Sequence, residues 1–146
     1  MPQFARPDAD ITDGAWTKSS GGAGDMYTMI DEAIADDADY VQSEAAPASS
    51  AFAVGLGNVE DPVSSTGHIV RYRYQKEAAG GAQIDLIVQL RQGYSGEGAQ
   101  GSLIHAETHT NIPNGWTAGT FTLAGAEADA ITDYADLQLR LVANQV

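Results

Sequence analysis

Two stretches in the middle of the chain alternate strictly, and they restrict the fold more than any other feature. In Gly67 to Lys76, Val70, Tyr72 and Tyr74 share one face while Arg71 and Arg73 take the other. In Ala82 to Gly93, Ile84, Leu86, Val88 and Leu90 share a face opposite Asp85, Gln89 and Arg91. A period of two carried by aromatic and branched residues marks a strand with one face in a core and one in water. The segment between them, Glu77-Ala78-Ala79-Gly80-Gly81, is short and contains Gly, so a hairpin joining the two strands is expected.

Further strands are read at Leu103 to Thr110 and Trp116 to Leu123, separated by a Pro and Asn-Gly loop over residues 111–115. In the last strand Leu137, Leu139 and Leu141 alternate with Gln138, Arg140 and Val142. Just before it, residues 124–131 suit one or two helical turns, too short to be stable alone. The first half is less regular. A short strand is expected around Tyr27, Met29 and Ile30, and others at Tyr40-Val41 and at Phe52, Val54 and Leu56. Residues 30–38 have helical character, although Asp36-Asp37-Ala38-Asp39 argues for a turn. Seven to nine short strands between turn signals imply an all-β chain: one antiparallel β-sandwich over residues 1–146, jelly-roll-like, with a short helical turn before the last strand. Residues 1–13 are expected to form an extended N-terminal arm, and Trp16, Trp116 and Phe121 to anchor the core.

The length of 146 residues is about one domain. Its core must be thin, because 24 of the hydrophobic residues are Ala. The net charge of −13 argues against nucleic acid, whose binding depends on Lys and Arg neutralising phosphates. It argues equally against docking on an anionic leaflet. No apolar run has the length of a membrane span or a signal peptide, so export by a general secretion route is not expected. Without Cys, disulfides and thiolate metal sites are excluded. The charge is uneven: residues 1–61 hold 12 acids and two bases (−10), and residues 62–146 hold eight acids and five bases (−3).

Few residues have spacings that carry chemistry. On a strand, His105, Glu107 and His109 would project from one face, a spacing that suits zinc; the simpler reading is an outward polar stripe opposite Ile104 and Ala106. Asp8, Asp10 and Asp13, before Gly14, resemble a calcium loop, but the third Asp is one residue late and Ser19 stands where an EF-hand needs Glu. Calcium held in loops, with Asp36, Asp37 and Asp39 also available, is the one cofactor the chain suggests. There is no nucleophile elbow and no phosphate-binding Gly loop, so no enzyme is expected.

Three stretches resemble a known group: Met26 to Glu32 with Asp37 to Ser43, Asp61 to Tyr74, and Ile131 to Leu141. Together they are similar to small structural proteins of tailed bacteriophages and prophages. The resemblance implies a virion component with a jelly-roll-like sandwich and brings no catalytic residues. Within it, the expected role is a capsid decoration or cement protein, made in the host cytoplasm and sitting on the outer head surface, where acidity is tolerated. Its partners would be the major capsid protein, other virion proteins and further copies of itself. Phe4, Arg6 and the last strand, with Leu137, Leu139 and Leu141, are the expected contacts. The alternative is a tail-tip or fibre carbohydrate-binding module, with Trp16, Trp116, Tyr94 or Tyr134 stacking on sugar rings.

Overall fold

The computed structural model describes residues 2–79 and 81–146. In chain order the elements are β1 (Arg6–Thr12), β2 (Thr17–Lys18), a 3-10 turn (Met26–Met29), β3 (Val41–Gln42), β4 (Ser50–Gly57), β5 (Ile69–Tyr74), β6 (Ile84–Gln92), β7 (Ser102–His109), β8 (Thr117–Thr122), α1 (Gly125–Asp129) and β9 (Leu137–Gln145). The main sheet has the order β1-β4-β9-β6-β7, while β5-β8 and β2-β3 form separate pairs.

The pairing is nested. β4 pairs with β9, β5 with β8 and β6 with β7, all antiparallel. The chain therefore runs out through β4, β5 and β6 and returns through β7, β8 and β9, like one long hairpin. Pairing of β9 with β6 rolls that hairpin up. The result is a jelly-roll-like sandwich. The innermost turn of the roll is the loop between β6 and β7, where a single bridge joins Gly96 and Ala99.

The inward face of the main sheet is built from Phe52, Val54 and Leu56 on β4, Leu86, Val88 and Leu90 on β6, and Leu139 and Leu141 on β9. Phe121, Leu123, Ala128, Ile131 and Tyr134 cover one half. Trp16 and Met26 cover the other, with Trp16 stacked on Phe52 at 5.5 Å between ring centroids. On the reverse face of β4 the short side chains of Ala51 and Ala53 are buried as well.

Several expectations are corrected. β5 and β6 do not form a hairpin, because they lie in different sheets. Their apolar faces meet across the interior instead of side by side; of the expected turn, Gly80 lies outside the described residues. Met26 to Met29 is a 3-10 turn rather than a strand, because both Asp10 carboxylate oxygens accept backbone N–H bonds, from Met26 (2.8 Å) and Tyr27 (2.7 Å). Residues 30–38 contain no helix, since Asp36 accepts the Ala38 N–H and closes a turn. The N-terminal arm is short: Arg6–Thr12 is an edge strand paired with β4, leaving Pro2 to Ala5 outside it. Met1 is not among the described residues. The last strand is not an exposed contact surface either. β9 lies between β4 and β6, so Leu137, Leu139 and Leu141 pack inward and are not available as capsid contacts.

Candidate functional site

His105, Glu107 and His109 do share a face, but it points inward. Leu90 pairs with His105 and Arg91 with Leu103, so Ile104 is an extra residue in β7. That bulge shifts the alternation by one. Ile104 is buried, the next three odd-numbered residues are half-buried, and Ala106 and Thr108 are exposed. The result is a polar seam between β7 and the β5-β8 pair.

Most groups in the seam are held from the facing elements; His105 Nε2, 3.5 Å from Glu107 Oε2, is buried without a hydrogen-bond partner. The His105 ring stacks on Phe121 at 4.4 Å. Its Nδ1 lies 2.8 Å from Glu127 Oε1, and Glu127 Oε2 accepts the Ala124 N–H at the start of α1. His109 sits between two phenols, with Tyr72 Oη 2.6 Å from Nε2 and Tyr74 Oη 3.2 Å from Nδ1. A neutral imidazole has one donor and one acceptor nitrogen, so one phenol donates to it and the other accepts. Burial, then the Glu107 charge, pushes Tyr72 up to about 12, which keeps it a phenol. Gly119 makes room for the Tyr72 ring: a Cβ there would lie 2.3 Å from Tyr72 Cε2.

This arrangement orders a sheet interface; it does not hold zinc. Both His109 nitrogens are taken by tyrosines and His105 Nδ1 by Glu127. Among the described residues, no three His, Asp or Glu converge as a metal site. The calcium expectation fails for a related reason. Asp8 packs over Gly57, Asp10 holds the 3-10 turn, Asp36 closes its own turn, and Asp37 forms a two-pronged pair with Arg73 at 2.6 and 2.7 Å. Asp13 is partly buried and pushed up by desolvation and then by the nearby Asp10 charge, and among the described residues no third ligand completes a site with them.

A sugar-stacking platform is also absent from the expected aromatics. Trp16, Tyr94 and Tyr134 are only 6%, 2% and 8% exposed. Tyr134 Oη bonds His68 Nε2 at 2.7 Å. Trp116 alone is half-buried, and it packs on Tyr40 at 5.7 Å instead of anchoring the core.

Sequence reasoning missed a second network, on the reverse face of the main sheet. The Tyr94 backbone N–H bonds Gln138 on β9, and its hydroxyl reaches Thr12 on β1 and Glu97. The side chain therefore spans β4, where Ala53 leaves room for it. Arg140 grips Glu97 through two bonds of 2.7 Å. Arg91, Gln89 and Arg140 at the polar positions of β6 and β9 are the one signal of this network in the sequence. The Arg140 guanidinium and the Tyr94 hydroxyl hold Glu97 down to about 2, against an ordinary 4.5. A depressed carboxyl stabilises the fold above its unfolded pKa, and that contribution is lost as pH falls from about 4.5 to about 2. Glu97 is 43% exposed, so solvent screening limits the effect to about 1 kcal/mol. Urea unfolding of Glu97→Gln is expected to show this deficit at pH 6 and nearly none at pH 2. An undiminished deficit at pH 2 would contradict the assignment.

One apolar group remains outward near the N-terminus. Phe4 is 61% exposed, with the Arg6 guanidinium 5.5 Å from its ring centroid. Gln3 exchanges hydrogen bonds with the Glu60 backbone and so fixes this segment beside a groove of about 650 Å³ lined by Asp8, Gly57 and Tyr134. Comparison of the chain with family models, curated proteins and solved structures found no match.

Proposed function

We propose that the chain is a structural protein of a tailed-phage virion, a decoration or cement protein on the outer surface of the head. The observation that carries this reading is Phe4, a large aromatic side chain 61% exposed just ahead of edge strand β1. His109, Glu127, Asp10 and Asp37, which could have carried chemistry, are engaged in contacts that hold the fold together. An exposed aromatic backed by Arg is the kind of anchor that dominates protein interfaces. The resemblance to virion proteins and the jelly-roll-like fold support the same role. The −10 carried by residues 1–61 suits a surface that repels other particles better than one facing packaged DNA. The sugar-binding reading has no support from its aromatics, three of which are buried.

The test is binding to head shells of the encoding phage that lack this protein. Wild type is expected to bind, and Phe4→Ala to bind at least about 10-fold more weakly with an unchanged thermal midpoint. Absence of wild-type binding, or equal binding by the variant, would refute the proposal.

A further inference from the structure

The β5-β8 pair faces a sheet of five strands, yet it has only two. Its hydrogen-bond phase follows from one contact. The Leu123 N–H donates to the His68 carbonyl, and the register pairs Val70 with Phe121, Tyr72 with Gly119 and Tyr74 with Thr117. Bonded and non-bonded positions alternate in an antiparallel ladder. Residues 117, 119 and 121 therefore bond to β5, and the N–H and C=O groups of Ala118, Thr120 and Thr122 point off the open edge. These three residues are exposed. No backbone group outside the pair bonds to them among the described residues.

Natural proteins blunt such edges with charge, Pro or bulges. β1 has Pro7, Asp8, Asp10 and two register shifts. β7 has its bulge and Glu107, and β5 has Arg71 and Arg73. β8, Thr-Ala-Gly-Thr-Phe-Thr, has none of these, and its six-residue register is regular. Among edge strands longer than two residues it is the one left unprotected.

We propose that β8 is a self-association site, where it pairs antiparallel with β8 of a second copy about a two-fold axis. Charge selects this occupant. Two chains of −13 repel over most of their surfaces, and the acids concentrate in residues 1–61. The outward positions of the β5-β8 pair are Ile69, Arg71, Arg73, Ala118, Thr120 and Thr122, and the acid held against them, Asp37, is paired with Arg73. A second copy can approach there, whereas a basic partner would be drawn to the acidic segment. An antiparallel strand pair is self-complementary, so the contact closes as a dimer. It joins two half-sheets into one of four strands, β5-β8-β8-β5, between two five-stranded sheets. The proposal stands apart from the virion reading and can fail separately from it.

Sedimentation equilibrium of the full chain at about 0.3 M NaCl, where the mutual repulsion is screened, tests this. A single short strand contact falls in the small, weak class of interfaces, so dimerisation with a Kd on the order of 10–100 μM is expected. Thr120→Lys should weaken it at least about 10-fold, since Lys at an edge opposes strand pairing, with the thermal midpoint unchanged. Ala118→Pro removes an N–H that bonds nothing among the described residues and serves as the second blocking variant. Thr108→Lys, on the exposed face of edge strand β7, should leave the dimer intact. A monomeric wild type, a dimer that survives both β8 substitutions, or equal loss with Thr108→Lys would overturn the proposal.

Discussion

Phe52→Ala is expected to lower the unfolding free energy by about 4 kcal/mol, within the range for emptying a fully buried aromatic site. Phe52 has no exposed surface and stacks on Trp16, with Met26, Val54 and Ala143 in the same cluster. Collapse around the missing ring is restricted. Its strand is held on both sides, by β1 and by β9, and the reverse face of β4 is lined with small residues that cannot swing in. A domain of this size is stable by about 5–15 kcal/mol in all, so the variant should be close to the threshold of folding. Urea unfolding followed by Trp fluorescence and by circular dichroism measures the effect. Trp116→Ala is the comparison: its ring is half-buried against Tyr40 and should cost about 1 kcal/mol, in line with a partly exposed site. A Phe52→Ala loss under about 1.5 kcal/mol would mean that this half of the core is far looser than the packing implies.

The contrast between the two tryptophans shows what the sequence discloses. Alternation reports which face of a strand is buried, and it placed Val70, Tyr72 and Tyr74, and Ile84 to Leu90, correctly. It does not report the partner. In this nested roll β5 and β6, adjacent in sequence, lie in different sheets, so the short Gly-containing connection between them does not mark a hairpin. The expectation of contacts through β9 fails because its two buried faces, with Gln138, Val142 and Ala143 all buried, are those of a central strand. The bulge at Ile104 carries no Gly or Pro to announce it, and it turned a stripe of correct spacing inward. Asp10 and Tyr94 act through contacts distant in sequence, which periodicity cannot register. The candidate site was thus legible as a set of residues sharing a face, but not as an interface. Knowing its direction required the position of β5 and β8 above it.

That seam makes Gly119→Ala the second large effect. The new methyl would fall 2.3 Å from Tyr72 Cε2 and 2.7 Å from Cζ. An unheld ring would swing away at small cost. This one is fixed at its far end by the 2.6 Å bond to His109 and flanked by Tyr74 and Phe121 at 6.0 and 6.3 Å. Displacing it breaks that bond and strains the stack of Tyr74 on His109, so a loss of about 2–3 kcal/mol is expected. Tyr72→Phe, which removes the hydroxyl but keeps the ring, should cost about 1 kcal/mol. The decisive measurement is a double-mutant cycle. In a Tyr72→Ala background the obstruction is gone, and Gly119→Ala should then cost almost nothing, leaving a coupling of about 2 kcal/mol. If the two substitutions add independently, the cost of Ala at 119 comes from the strand itself, and the seam does not set how closely β5 and β8 approach β7.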